Sequence, residues 1–195
     1  ITIHLHGGSL DKLLFNKYPF IKWLNFKIYK RLNNIIISGS SHLDIFAGLP
    51  TNKISIVKNF APRETFINNK KIKEKFTNLT KIKILFLGNM DRNKGYLDLF
   101  NAAIALNKTN RNLFEFNFAG RFDIQKEEES FIRDISNEKN IFYHSVVSNK
   151  KKVSLFRETH IFCLPTKLFE GQPISILEAY SAGCVVLTTN KPGIK

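Results

Sequence analysis

Two carboxylates beside a helix start are the residues of this sequence best arranged for chemistry. Glu170 stands on a short loop, and Glu178 lies about a turn and a half into the helix that follows. Free N–H groups at a helix start favour an anion. A carboxylate just before that start, and another inside the helix, could hold hydroxyls beside the anion. Phosphate flanked by hydroxyls describes a nucleotide sugar. A plainer reading stands next to this one: Glu178, three residues after Ser175, resembles a capping pair, and a loop glutamate is usually solvated.

The elements that must position these groups are legible around them. Ile161–Leu164 is apolar and short enough for a buried strand. Pro173 suits the first position of a helix, where a missing N–H costs nothing. That helix is expected to run to Ala182 and stop at Gly183, a natural C-terminal cap. Cys184–Thr188 is a second apolar, β-branched run. Strand, loop, helix, strand implies two parallel strands, with ligands bound beyond their carboxyl ends, where Glu170 and the helix start lie.

Glu170-Gly171-Gln172-Pro173, then Ile176-Leu177-Glu178-Ala179, then Ala182-Gly183 and Val185-Val186 resembles the E-x7-E signature of retaining glycosyltransferases of family 4, which have the GT-B fold. The match continues over most of the chain. The resemblance implies an α/β protein of two Rossmann-like domains, the first incomplete and the second truncated at its end. Residues 1–62 would be the C-terminal part of the acceptor-side domain. Residues 63–80, polar and basic, would be a linker, and 81–195 the domain that binds the nucleotide sugar. The chain is expected to be partial, since it opens at Ile1 inside a strand pattern and stops at Lys195 after a Pro192-Gly193 turn.

Composition narrows the classes. A length of 195 residues allows one or two domains, and 43% hydrophobic content is ordinary for a globular protein. No apolar run reaches the roughly 18 residues of a membrane span, and no signal peptide is visible. Cys163 and Cys184 both fall in predicted buried strands and read as reduced core residues, which fits the cytoplasm. The net charge of +14 favours anionic partners. The basic residues are dispersed and no nucleic-acid-binding motif accompanies them, so nucleic acid is set aside as a partner.

Taken in order, Ile1–Leu5 reads as a strand, followed by the loop His6-Gly7-Gly8-Ser9. Phe20–Leu32 is an amphipathic, basic helix with Phe20, Leu24 and Ile28 on one face. It reads as a helix packed on a sheet, and its composition also permits docking on an anionic membrane. Asn34–Ile37 and Lys53–Lys58 are further strands, with a serine turn and the helix His42–Ala47 between them. Ile82–Leu87 is a strong strand, and the loop Gly88-Asn89-Met90-Asp91-Arg92-Asn93-Lys94-Gly95 leads into the helix Tyr96–Leu106. The loop lacks the Gly-Lys-Ser/Thr ending of a P-loop. Leu113–Ala119 and Ile141–His144 are strands, Ile124–Ser136 is a helix, and Lys150–Glu158 is a short helix whose Lys150-Lys151-Lys152 start reads as a solvated end. The second half is thus β-α-β-α-β-α-β-α-β. A Rossmann-like order 3-2-1-4-5 would make strands one and four neighbours and bring the Lys94 loop to the Glu170 loop in one crevice.

The resemblance assigns roles to these positions. His6 and Glu170 would act at the reacting sugar, His6 from the other domain. Gly88, Lys94 and helix-start amides around Gln172, Pro173, Ile174 and Ser175 would hold the donor diphosphate. Arg92 is the candidate substitute for the family's arginine, whose place Asn89 takes. Gly171 and Gln172 would face the donor sugar, and Glu178 would accept hydrogen bonds from the ribose hydroxyls. The donor would be a nucleotide diphosphate sugar and the acceptor a saccharide or a lipid-linked hydroxyl. The resemblance implies no cofactor and no metal for the diphosphate. Rival readings are a GT-B sugar-nucleotide epimerase, a fragment that binds nucleotide without turnover, and a basic membrane- or nucleic-acid-binding module.

Overall fold

A computed structural model of the chain describes residues 1–5, 18–77, 79–110 and 112–194. It divides into two compact units. One comprises Ile1–Phe60, Leu168–Pro173 and Asn190–Lys195; the other comprises Ala61–Lys167 and Ile174–Thr189.

The first unit is built on a three-stranded parallel sheet in the order β1 (Thr2–Leu5), β2 (Asn34–Ile37), β3 (Ile54–Ile56). Ile3 pairs with Ile35, and Ile35 with Ile54. Helix α1 (Pro19–Lys30) lies in the connection from β1 to β2. Ile35 and Ile37 are fully buried and join Leu32, Ile45, Phe46 and Leu49 in the core. The face of α1 that packs there differs from the expected one. Phe26 and Tyr29 meet the core, the Tyr29 ring edge-on to Phe46 at 5.2 Å. Phe20, Leu24 and Ile28 are left 43–70% exposed. The sequence offers two apolar stripes on this helix, and the deeper ring pair takes the core. The segment read as a helix at His42–Ala47 is a 3-10 helix, Ser40–Phe46. Gly39 and Gly48 bracket it.

The second unit holds a five-stranded, all-parallel sheet. Its strands are β4 (Ile82–Leu87), β5 (Phe114–Ala119), β6 (Ile141–Tyr143), β7 (Ile161–Leu164) and β8 (Val185–Thr188), ordered β6-β5-β4-β7-β8. Counting from β4, this is the expected 3-2-1-4-5. The central strands β4 and β7 are largely apolar because both faces are covered, whereas in β5 Phe114, Phe116 and Phe118 alternate with Glu115 and Asn117. Phe86, Phe116, Phe118 and Phe162 are fully buried there, each contributing about 2–3 kcal/mol of apolar burial. The helices are α2 (Asn69–Lys75), α3 (Tyr96–Asn110), α4 (Gln125–Ile135), α5 (Asn149–Glu158) and α6 (Ile174–Ser181). Phe131 of α4 packs edge-on to Phe118 at 5.3 Å and to Tyr96 at 5.7 Å.

The span 63–80 carries a 3-10 turn at Arg63–Thr65 and α2, whose Asn68 cap accepts the Lys71 N–H at 2.9 Å. It is anchored in the second unit. The Ile67 N–H bonds Ser181 O at 3.1 Å, and Lys75 Nζ donates to Phe156 O at 3.2 Å and Ala182 O at 2.8 Å. Lys75 thereby donates to carbonyls at the C-terminal ends of α5 and α6, that of Phe156 being shared with the Thr159 N–H.

Candidate functional site

At the carboxyl ends of β4 and β7 the loop that carries Lys94 meets the start of the loop after β7, Pro165–Lys167, within the second unit. After β4 the chain forms a 3-10 turn, Arg92–Lys94, capped by Asp91, whose Oδ1 accepts the Asn93 N–H at 2.7 Å. Asn93 O then accepts the Lys167 N–H from the loop after β7, also at 2.7 Å. Gly95 closes the turn at φ +88°. A Cβ there would stand 2.3 Å from Pro165 O, so only glycine lets the two loops approach this closely. Lys94 is half-buried in this turn. Arg92 pairs with α4: its guanidinium Nε meets Glu127 at 3.1 Å, with 67% of its side chain exposed.

Gly88 sits at the end of β4 with its N–H on Ala119 O, beside Gly120, whose φ is +153°. A Cβ on Gly120 would fall 1.7 Å from Gly88 O. Around the pair lies a groove of about 330 Å³ lined by Asn89, Arg121, Val146 and Val147. The nearest atom to a methyl group added at Gly88 would be Phe86 Cζ at 4.0 Å, so the space above this residue is open.

Glu178 is the most deeply buried carboxylate of the predicted set, at 2% exposure. Its Oε1 accepts Lys152 Nζ at 2.6 Å, and its Oε2 is buried with no hydrogen-bond partner. Where the plainer expectation placed a capping contact with Ser175, the carboxylate instead faces α5. Beside it is a cavity of about 770 Å³ lined by Thr65, Asn149, Lys150, Lys152 and Arg157 among others. The lysine run at 150–152 is therefore only partly a solvated end. Lys152 is 28% exposed and serves as the counter-ion of a buried acid. An unsatisfied carboxylate oxygen is costly unless something donates to it, and sugar hydroxyls are suitable donors.

The Glu170–Pro173 segment belongs to the first unit. Glu170 is 8% exposed, and its N–H reaches Pro192 O at 3.3 Å. Gln172 is held on both sides by Asn59: its Oε1 accepts the Asn59 N–H at 2.6 Å and its O accepts Asn59 Nδ2 at 2.8 Å. Gly193, at φ +85°, lies against the same loop, where a Cβ would be 1.8 Å from Glu170 O. Pro173 precedes α6, which begins at Ile174 rather than at the proline. Ile174 is 45% exposed and Ser175 half-buried in the first turn. Pro173 has no N–H, so it adds no donor to that helix start. His6, with Gly7, Gly8 and Ser9, lies outside the described residues.

Burial tunes several groups of the second unit. The Tyr143 hydroxyl donates to Glu128 Oε1 at 2.8 Å, and desolvation together with that carboxylate pushes its pKa up to about 12. Desolvation, then Lys151, lowers His144, whose Nε2 meets Asn117 Oδ1 at 2.7 Å. Desolvation also lowers His160. Its Nδ1 accepts the Lys83 N–H at 2.8 Å, which fixes the proton on Nε2, 3.1 Å from Lys75 O. His160 sits at the start of β7, away from the loops, and ties strand to helix.

Comparison with known proteins gives this geometry its setting. The family model described as Glycosyl transferases group 1 matches residues 68–195. The chain belongs to the glycosyl transferases group 1 family. An uncharacterised 41.2 kDa protein in the cps region of Klebsiella pneumoniae is 27% identical over 197 residues, covering 97% of this chain and 51% of that protein. Among solved structures, Anabaena HepE in complex with UDP and glucose superposes with a TM-score of 0.71 at 15% identity, over 98% of this chain and 53% of its own. WaaG, a glycosyltransferase involved in lipopolysaccharide biosynthesis, gives 0.72 at 15% identity, over 98% and 57%. Sucrose-phosphate synthase from Thermosynechococcus elongatus gives 0.73 at 12% identity, over 100% and 51%. The fold class is that of GT-B glycosyltransferases, and the chain spans about half the length of the proteins it matches.

The residues that sequence reasoning missed are Asn59, Asn93, Lys152 and Lys167. Each acts through a partner distant in sequence, as Asn59 does on Gln172 across 113 positions, and no spacing rule reveals such a pair.

Proposed function

We propose that this chain is the donor-binding part of a glycosyltransferase that moves a sugar from a nucleotide diphosphate sugar to a hydroxyl, with retention of configuration. The observation that carries the proposal is Glu178: a carboxylate buried in the α/β unit of a glycosyl transferases group 1 member, with one oxygen unpartnered and a cavity beside it. Its free oxygen would accept the ribose hydroxyls. Lys94 would stand at the diphosphate, on a turn that Asn93 and Lys167 hold in place, and stabilise the charge that develops as the sugar leaves. Gly88 would leave room for the nucleotide to approach the backbone. Glu170, Gly171 and Gln172 would face the sugar, with His6 completing the catalytic pair. The domain limits are proposed as 1–62, 63–80 and 81–195.

The relative in a cps region and WaaG's part in lipopolysaccharide biosynthesis support a role in surface polysaccharide or glycolipid synthesis at the inner face of the cell membrane. No helix among the described residues is long and apolar enough to cross a membrane. The exposed Phe20, Trp23, Leu24 and Ile28 of α1, beside Lys22, Lys27, Lys30 and Arg31, support peripheral contact with anionic lipid. The experiment that tests the function is a melting series with UDP, GDP, ADP and dTDP. One of them is expected to raise Tm, by about 2.7 kcal/mol in stability at a hundredfold excess over Kd. Glu178→Ala and Lys94→Ala should each remove that shift. No shift with any nucleotide in a cooperatively folding sample would overturn the donor-site assignment.

A further inference from the structure

A second cavity lies wholly within the first unit. It measures about 640 Å³ and is lined by Ser38, Ser41, Lys58, Gly171, Gln172 and Asn190 among others. Its charge is one-sided. Ser38 is 0% exposed, and its hydroxyl has no hydrogen-bond partner. The Ser41 hydroxyl is likewise buried and unpartnered. The Oε1 of Gln172 is already occupied by the Asn59 N–H, so that side-chain amide has chiefly its N–H groups left to offer. Lys58 brings a positive charge, and no carboxylate side chain lines the cavity. No ion pair engages Lys58 among the described residues.

Two buried hydroxyls without partners represent an unmet demand for hydrogen bonds. Around them Lys58 supplies a cation and no carboxylate side chain competes for it, while the hydroxyls and the Asn190 amide can donate. A neutral sugar would leave the Lys58 charge uncompensated. An oxyanion needs only donors and a cation, and charge-assisted hydrogen bonds to it are the stronger kind. We propose that this cavity is a subsite for an acidic group, a carboxylate or phosphate, carried by the sugar or by the acceptor. The inference rests on the glycosyltransferase reading, because the cavity shares Gly171 and Gln172 with the loop assigned there to the donor sugar. It adds that the substrate is an acidic saccharide or a sugar phosphate, which the fold alone does not specify. The enzyme preceding this one in a synthetic sequence would then be of the class that oxidises a sugar's primary alcohol or phosphorylates a sugar.

The test is a calorimetric titration of the 195-residue chain with glucuronate, glucose 6-phosphate, glucose and UDP in separate arms. Glucuronate or glucose 6-phosphate should bind at least tenfold more tightly than glucose, and whichever binds names the acidic group. Lys58→Gln, at an exposed position that leaves the core intact, should cut that affinity tenfold while UDP affinity stays unchanged. Ser38→Ala should reduce it as well, with a melting curve to verify that the variant folds. Equal affinity for glucose and both acidic probes, or acidic binding that survives Lys58→Gln, would overturn the subsite. UDP binding without acidic binding would do the same and leave the donor reading standing. Acidic binding sensitive to Lys58→Gln, with no response to any nucleotide, would keep the subsite and remove the donor reading.

Discussion

Replacing Lys152 by methionine should destabilise the second unit far more than a change on a lysine-rich helix end ordinarily does. The substitution keeps the apolar stem and removes only the charge. It leaves Glu178, 3% exposed at its side chain, without the ammonium 2.6 Å from Oε1, while Oε2 already lacks a partner. Removing one member of a buried ion pair typically costs about 3–5 kcal/mol. Lys152 is 28% exposed, so its own charge is partly solvated within the pair, and a smaller figure of about 2–3 kcal/mol is expected here. In a chain of this size that is a fall in Tm of about 4–12 °C. Glu178→Gln should cost only about 1 kcal/mol, since the lysine can turn to solvent. The double variant should match Glu178→Gln alone, giving a coupling of about 2 kcal/mol. Urea unfolding of the four proteins measures all three quantities. A Lys152→Met cost below about 0.5 kcal/mol, or strictly additive single effects, would refute the reasoning that this pair is buried and mutually dependent.

Other outcomes follow from the same contacts. Gly88→Ala should leave stability within about 0.5 kcal/mol, because its added methyl meets nothing closer than 4.0 Å, yet weaken nucleotide binding measured by calorimetry. Gly193→Ala should cost at least about 1–3 kcal/mol in a thermal melt, because its φ of +85° and the Glu170 carbonyl both oppose a side chain. Lys75→Met should cost about 1–2 kcal/mol by urea unfolding, since the Ala182 carbonyl loses its Lys75 donor while Phe156 O keeps the Thr159 N–H. Stability should also fall on acidification. His144 and His160 have folded-state pKa values below the usual histidine value, so the unfolded chain binds their protons first. Their contribution is present above about pH 6.5 and is lost as pH drops below it. His160→Gln should flatten that part of the pH profile.

The reach of sequence reasoning follows the distance over which each force acts. Local order wrote the strand sequence of the second unit plainly. A run such as Ile82–Leu87 is apolar on both faces only if a parallel sheet buries it, and alternation with helices leaves few strand orders to choose from. The meeting of the loops after β4 and β7 followed from that order alone. What stayed illegible was decided between distant partners. Two apolar stripes run along α1, and which one faces the core depends on where Phe46 places its ring, not on the helix's own period. Arg92 lay two residues from Lys94, near enough in sequence to stand in for a missing arginine. A 3-10 turn, however, rotates each successive side chain by about a third of a circle, and Arg92 thereby faces Glu127. Lys152 looked like the tail of a charge run because its partner lies in another helix. These cases share a cause: hydrophobic period and turn chemistry set the backbone, whereas the pairing of a charge is settled only after the backbone has placed its competitors. The positions where single-sequence reading fails are thus the cross-element polar contacts, and in this chain Lys152 with Glu178 and the Gln172 that Asn59 holds line the cavities on which both proposals rest.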